Sequence, residues 1–154
     1  MTSSLRSSGI RQSQVNRRAS NNALEVLETA LAAPGPGREL DWLNKVTASL
    51  DTFLAAIDHQ SATSRSHEGL LSQIVTSEPR MTWQIAGLEK ELDDIRASAR
   101  SLREQITPEQ PTPRVDVADI RNRLTSIANR YQSHRAREAD LVYDAIDIDL
   151  GEGG

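Results

Sequence analysis

The sequence has no cysteine and few aromatic residues, and these two absences exclude several classes of protein. Without cysteine, the chain of 154 residues has no disulfide framework, no thiol nucleophile and no zinc-thiolate site. Only 3% of its residues are aromatic, and Leu, Ile, Val and Ala supply most of the apolar content, which favours helix-on-helix packing over a β-sandwich or barrel. The length suits one domain. The sequence therefore predicts an all-α protein with a single core.

The chain also lacks long apolar runs and a strong net charge. The longest uninterrupted apolar stretch, Phe53 to Ile57, is far shorter than the roughly 18 residues that a membrane span requires. The formal net charge of -4 argues against a protein that binds nucleic acid by neutralising many phosphates. We therefore expect no membrane association and no nucleic-acid partner. The absence of cysteine fits a reducing compartment, and we expect a cytoplasmic location.

Charge is distributed unevenly along the chain. A Ser- and Arg-rich stretch precedes the first acidic residue, Glu25, whereas the segment 138–152 is rich in acidic residues. The start has two interpretations, a disordered tail or an organelle transit peptide. Arg far outnumbers Lys, which together with many alanines is typical of a GC-rich bacterial genome and favours the tail. We predict disordered tails at residues 1–12 and 151–154, on either side of one helical domain at 13–150.

Apolar residues recur at alternating three- and four-residue steps and predict an up-and-down helical bundle. Proline- and glycine-rich segments separate the predicted helices, and a Ser-rich break is predicted at Ser61 to Ser66. The predicted helices cover about 13–33, 38–60, a short piece ending before Pro79, 81–106 and 115–147. The most regular apolar row lies on the helix over 81–106 and consists of Met81, Ile85, Leu88, Leu92, Ile95, Ala99, Leu102 and Ile106.

Two ionisable residues interrupt the apolar row of the last predicted helix. That row includes Tyr131, His134, Glu138 and Leu141, so His134 and Glu138 lie one turn apart on the side that faces the core. Burying such groups without partners is costly. Three interpretations remain: ligation of a metal ion, an internal hydrogen-bonded pair, or a partly exposed helix end.

The other candidate residues carry weaker signals. His59 lies off the apolar row of its helix, where a surface position is the alternative to a ligand. Trp83 lies roughly opposite the row of its helix, so it either packs against the first helix, which we favour, or marks a partner surface. The Asp144, Asp147 and Asp149 cluster lacks the pattern of a calcium loop. The sequence has no phosphate-binding glycine loop and no nucleophilic triad motif, so we do not expect an enzyme.

The last third of the chain resembles the final helix of hemerythrin-like proteins, the HHE cation-binding family. These proteins close on a His-x-x-x-Glu helix followed by an apolar and aromatic pair. The resemblance is carried by His134-Arg135-Ala136-Arg137-Glu138-Ala139-Asp140-Leu141-Val142-Tyr143, and His59, Gly69-Leu70-Leu71, Ile74 and Pro79 are similar to a bacterial subgroup of the family. The likeness spans about Trp42 to Gly151. It implies a hemerythrin-like four-helix bundle, here with an extra N-terminal helix.

The resemblance also implies a metal site. The family's di-iron centre draws histidines and carboxylates from four helices and binds oxygen or nitric oxide. Carried over to this chain, His134 and Glu138 match ligands of the last helix, and His59 matches a ligand on an earlier one. The segment 81–106 should supply histidines and contains none, although Glu89 or Glu91 could replace them. The implied metal site, His59, His134 and Glu138, is therefore incomplete for two irons.

These observations leave functions of different classes. We expect a hemerythrin-like bundle without a complete di-iron site and without a cofactor, acting as an interaction or regulatory module through an unknown protein partner or self-association. The alternative is a non-haem iron protein that senses oxygen or nitric oxide, or performs redox chemistry, through a residual His and carboxylate site. A third hypothesis is a structural helical protein that dimerises through its first helix and Trp83.

Overall fold

The computed structural model describes residues 2–33, 37–65, 70–106 and 116–152. Within those residues the chain forms helices and one 3-10 turn, with no strand, which confirms the all-α prediction. The helices are α1 (Thr2–Ala32), α2 (Glu39–Arg65), α3 (Leu70–Ser77), α4 (Thr82–Gln105) and α5 (Val117–Glu152), and the 3-10 turn at Pro79–Met81 leads into α4. In this part of the chain, no helix combines the length and apolarity needed to cross a membrane.

Three helices are longer than periodicity predicts, and one of them is α5, which ends at Glu152 rather than near residue 147. Helix α1 begins at Thr2 rather than near Ser13, and α2 continues through Arg65, so the break predicted between Ser61 and Ser66 is wrong over its described part. Ser and Thr fit inside a helix when their hydroxyls donate to the carbonyl one turn back. Thr63 does so, with its Oγ1 2.8 Å from the carbonyl oxygen of His59. Composition alone could not distinguish this arrangement from a loop.

The four long helices form an up-and-down bundle in chain order. Each of α1, α2, α4 and α5 contacts the next, and α5 closes the arrangement against α1. Ion pairs on the surface show the direction of α2 and α4. Asp51 pairs with Arg103 at 2.7 Å and Asp58 pairs with Arg100 at 2.8 Å, so residue numbers rise on α2 as they fall on α4. The two helices are therefore antiparallel.

The apolar core is divided into two parts along the bundle axis. A large cluster combines residues of α1, α2, α4 and α5, among them Leu27, Phe53, Ile95 and Leu124. A small cluster at the other end of α4 and α5 contains Ile74, Met81, Ile85 and Ala145. Every member of the apolar row predicted over 81–106 is buried, which confirms that prediction. Leu40, in the first turn of α2, is 53% exposed.

The corner between α1 and α2 is held by a residue from α5. Arg121 donates from Nε to the carbonyl oxygen of Leu31 at 2.9 Å and from Nη2 to that of Ala33 at 3.2 Å. These carbonyls at the end of α1 have no partner within their own helix, so the guanidinium satisfies them. The same guanidinium lies 5.5 Å from the centre of the buried Trp42 ring. The corner is thus fastened by a side chain that is distant in sequence.

Candidate functional site

A group of polar side chains, most of them buried or partly buried, lies between the two apolar clusters, and we call it the polar layer. On α5 it begins at Tyr131, which also belongs to the large cluster, and ends before the residues that pack on the small cluster. Every long helix contributes: its members are Ser20 (α1), Gln60 (α2), Glu91 (α4) and Tyr131, His134, Arg137 and Glu138 (α5). This position across the bundle makes the polar layer the candidate functional site.

Gln60 is the centre of one half of the polar layer. Its Oε1 accepts hydrogen bonds from the hydroxyl of Tyr131 at 2.5 Å and from that of Ser20 at 3.2 Å. Its Nε2 donates to Oε2 of Glu138 at 3.3 Å. Both polar ends of this buried amide are therefore used, and they tie α1, α2 and α5 together.

His134 is the centre of the other half. Only 1% of its side chain is exposed, and its ring stacks at 23° on that of Tyr131. Nδ1 lies 3.0 Å from Oε1 of Glu91, and Nε2 lies 3.5 Å from Oε2 of Glu138 without the geometry of a hydrogen bond. A neutral imidazole carries a proton on one nitrogen and can donate to one of these carboxylates, whereas the imidazolium donates towards both. The polar layer therefore places the imidazole of His134 between two carboxylates.

Three residues of the polar layer have shifted pKa values, and in Arg137 the hydrogen bond to Glu91 and the charge of Glu91 raise the pKa. Burial raises the pKa of the Tyr131 phenol to about 12, and the charge of Glu138 acts in the same direction. Partial burial acts to raise the pKa of Glu91, but hydrogen bonds from Arg137 and His134, together with their charges, outweigh it and hold this pKa below 4.5. Tyr131 thus stays a neutral donor, and Glu91 stays an ionised acceptor.

We expect Glu91→Gln to weaken the acid dependence of stability. A carboxyl whose pKa is lower in the folded than in the unfolded chain stabilises the fold above the unfolded pKa, and that contribution disappears as the pH falls through the folded pKa. The free energy of unfolding of the wild type should therefore drop by about 1 kcal/mol more than that of the variant between pH 7 and about pH 3. Urea denaturation at the two pH values measures the difference. The exposed Glu104→Gln on the same helix is the control, and an equal effect there would contradict the expectation.

The predicted metal ligands do not converge. His134 and Glu138 lie together in the polar layer, but His59 is exposed, and its neighbour Gln60 is the residue of α2 that reaches inward. Glu91 is also adjacent to His134, yet the two carboxylates approach opposite ring nitrogens and cannot share one ion with the imidazole. Among the described residues, no group of three or more His, Asp or Glu is arranged to hold a metal ion. The described residues therefore do not fit a di-iron centre.

Sequence reasoning missed Gln60 and Ser20. Both continue the three- and four-residue period of their helices, since Gln60 follows Ile57 and Ser20 precedes Ala23. A polar residue in register with an apolar row was therefore the available signal. The interpretation of Trp83 was wrong, because packing against the first helix was favoured and the side chain is 73% exposed.

The remaining candidates lie at the surface or outside the described residues. Asp144 is exposed, and the side chains of Asp147 and Asp149 lie outside the described part of the chain. The predicted tail and domain limits remain predictions, and so does the hemerythrin-like resemblance, which stands on the residues that carry it. Comparison of the chain with protein-family models, with curated proteins and with solved structures found no match.

Proposed function

We propose that this chain is a helical-bundle interaction or regulatory module, related in plan to hemerythrin-like proteins but without their di-iron chemistry. The observation that supports this proposal is the use of its polar interior. The ring of His134 lies between Glu91 and Glu138, and these carboxylates are themselves engaged by Arg137 and Gln60. Side chains that are partnered in this way act as a structural connection between helices.

The competing proposal, a non-haem iron protein, is tested by iron analysis and an absorption spectrum of protein purified without chelator. We expect substoichiometric iron and no charge-transfer band. Stoichiometric iron with such a band would reverse the order of the two proposals. His134→Leu is a companion variant: as part of a structural layer it should change the free energy of unfolding and leave the metal content unchanged.

The surface that an interaction module needs is available at the end of the bundle that holds the small apolar cluster. Trp83 on α4 is 73% exposed and Tyr143 on α5 is 72% exposed, and both lie two residues before a member of that cluster. We call the surface around these two rings the aromatic end. Exposed Trp and Tyr are the residues most enriched where proteins bind each other.

The charges at the aromatic end favour a second copy of this chain as the partner. Arg80, 63% exposed, lies one turn before Trp83 and pairs with the mostly buried carboxylate of Glu78 at 3.3 Å, whereas the exposed Asp140 lies three residues before Tyr143. In a two-fold dimer, each contact occurs twice with the copies exchanged. The basic side of one aromatic end can therefore meet the acidic side of the other, in both directions at once.

We expect Arg80→Glu to weaken self-association by about tenfold or more, because it sets like charges against each other. Analytical ultracentrifugation over a concentration series measures the dissociation constant. Adding Asp140→Arg should restore association, and Arg38→Glu, at the opposite end of the bundle, should have no effect. A strictly monomeric wild type at high concentration, or a double variant as weak as Arg80→Glu alone, would contradict the two-fold arrangement.

A further inference from the structure

A polar groove runs along the outside of the bundle between α4 and α5, next to the polar layer. Its volume is about 620 Å³, within the range of sites for small molecules. The walls are formed by Gly87, Lys90, Glu91 and Asp94 of α4 and by Asn129, Arg130, Ser133 and Arg137 of α5. Gly87 has open space where a Cβ would stand, so close packing does not require a glycine there, and its missing side chain widens the groove.

The charges of the groove leave an excess of positive charge at one residue. The two carboxylates that line the groove already have cationic partners, since Asp94 pairs with Lys90 at 3.3 Å and Glu91 pairs with Arg137. The third cation is Arg130, whose partner is the neutral hydroxyl of Ser98 at 3.2 Å. Within the described residues, Arg130 therefore has no carboxylate to neutralise it.

The residues beside Arg130 add hydrogen-bond donors. Asn129 and Ser133 also line the groove, and neither side chain has a hydrogen bond within the described part of the chain. A guanidinium donates through two parallel N–H groups to an oxyanion, and hydroxyl and amide groups complete such a site. Arg137 lies two turns further along α5, about 10 Å from Arg130, where it can meet a second part of the same molecule.

We propose that the groove between α4 and α5 binds the phosphate group of a small molecule at Arg130, with Asn129 and Ser133 as additional donors. This inference does not depend on the proposed function. It also connects the groove to the buried histidine. Glu91 accepts hydrogen bonds from both Arg137 in the groove wall and His134 in the core. A ligand that draws Arg137 away from Glu91 therefore changes the charge next to the His134 imidazole.

Titration with inorganic phosphate at constant ionic strength tests this proposal. In NMR spectra of the whole protein, we expect saturable shifts of the Asn129 side-chain amide and, through Glu91, of the His134 ring. Arg130→Gln should weaken binding by about tenfold or more, the effect of losing a charged hydrogen-bond donor. Arg123→Gln, which removes the same charge from α5 outside the groove, should bind as the wild type does.

The outcomes separate a site from general attraction to positive charge. Acetate at the same ionic strength should bind more weakly than phosphate, because it offers fewer acceptor oxygens to the same donors. The proposal is overturned if acetate binds as tightly, if the two arginine variants lose binding equally, or if the shifts never saturate. Circular dichroism confirms that each variant is folded, which is expected because both arginines lie at the surface.

Discussion

Phe53→Ala should lower the free energy of unfolding by about 3–5 kcal/mol, the largest single effect that we expect. Phe53 is fully buried in the large cluster, and its ring meets that of Tyr131 edge-on, with centroids 5.1 Å apart and planes at 88°. Truncation removes the transfer free energy of the ring, leaves a cavity and eliminates this aromatic pair. Urea denaturation monitored by circular dichroism measures the loss.

A matched control distinguishes burial from a general effect of losing apolar atoms. Leu40 also lies on α2 but is 53% exposed, so Leu40→Ala should change the free energy of unfolding by no more than about 0.5 kcal/mol. If Phe53→Ala were as mild as Leu40→Ala, the large cluster would not be the main source of stability. The packing of Phe53 in the large cluster would then differ from the packing in this structure.

The second large effect is expected from Gln60→Leu, which should lower the free energy of unfolding by about 2–4 kcal/mol. Leucine has a similar size but no polar atoms, so the hydroxyls of Tyr131 and Ser20 lose their acceptor and Glu138 loses a donor. Polar groups that stay buried without a partner lose the water that they would contact in the unfolded chain. Gln84→Leu, at an exposed position of α4, is the control and should be nearly neutral.

A double-mutant cycle identifies the cause of the Gln60 effect. In a Tyr131→Phe background, one of the stranded hydroxyls is already absent, so Gln60→Leu should cost about 1 kcal/mol less than in the wild type. Additive losses would show that the two side chains do not interact. The same denaturation measurement serves all four proteins of the cycle.

The helical plan could be predicted because it depends on local periodicity. The row from Met81 to Ile106 repeats without an error, and one face of a helix is the only regular structure that can bury such a row. The i, i+4 spacing likewise predicted that His134 and Glu138 share a face, because helix geometry fixes it. These statements need no information about the other helices.

The partners in the polar layer could not be predicted in the same way. Gln60 was missed because Ser and Thr residues after Ile57 read as a break, and their hydroxyl contacts inside the helix are visible only in three dimensions. Glu91 was one of two candidates on its helix, and the packing of α4 against α5 selects it by placing it against His134. The position of Trp83 opposite the apolar row left packing against the first helix and a partner surface both open, since nothing in a single sequence tells a buried Trp from an exposed one.

The division of the core into two apolar parts has a consequence for the alignment of the helices. Aliphatic side chains tolerate sliding, because one leucine can replace another against a neighbouring helix. Hydrogen-bond donors and acceptors do not tolerate it. If one helix slid along its neighbours by one turn, about 5.4 Å, Gln60 would face aliphatic groups, and Tyr131 and Glu91 would lose their hydrogen-bond partners. The hydrogen bonds of the polar layer therefore select one position of each helix along the bundle axis, among several that aliphatic packing alone would allow.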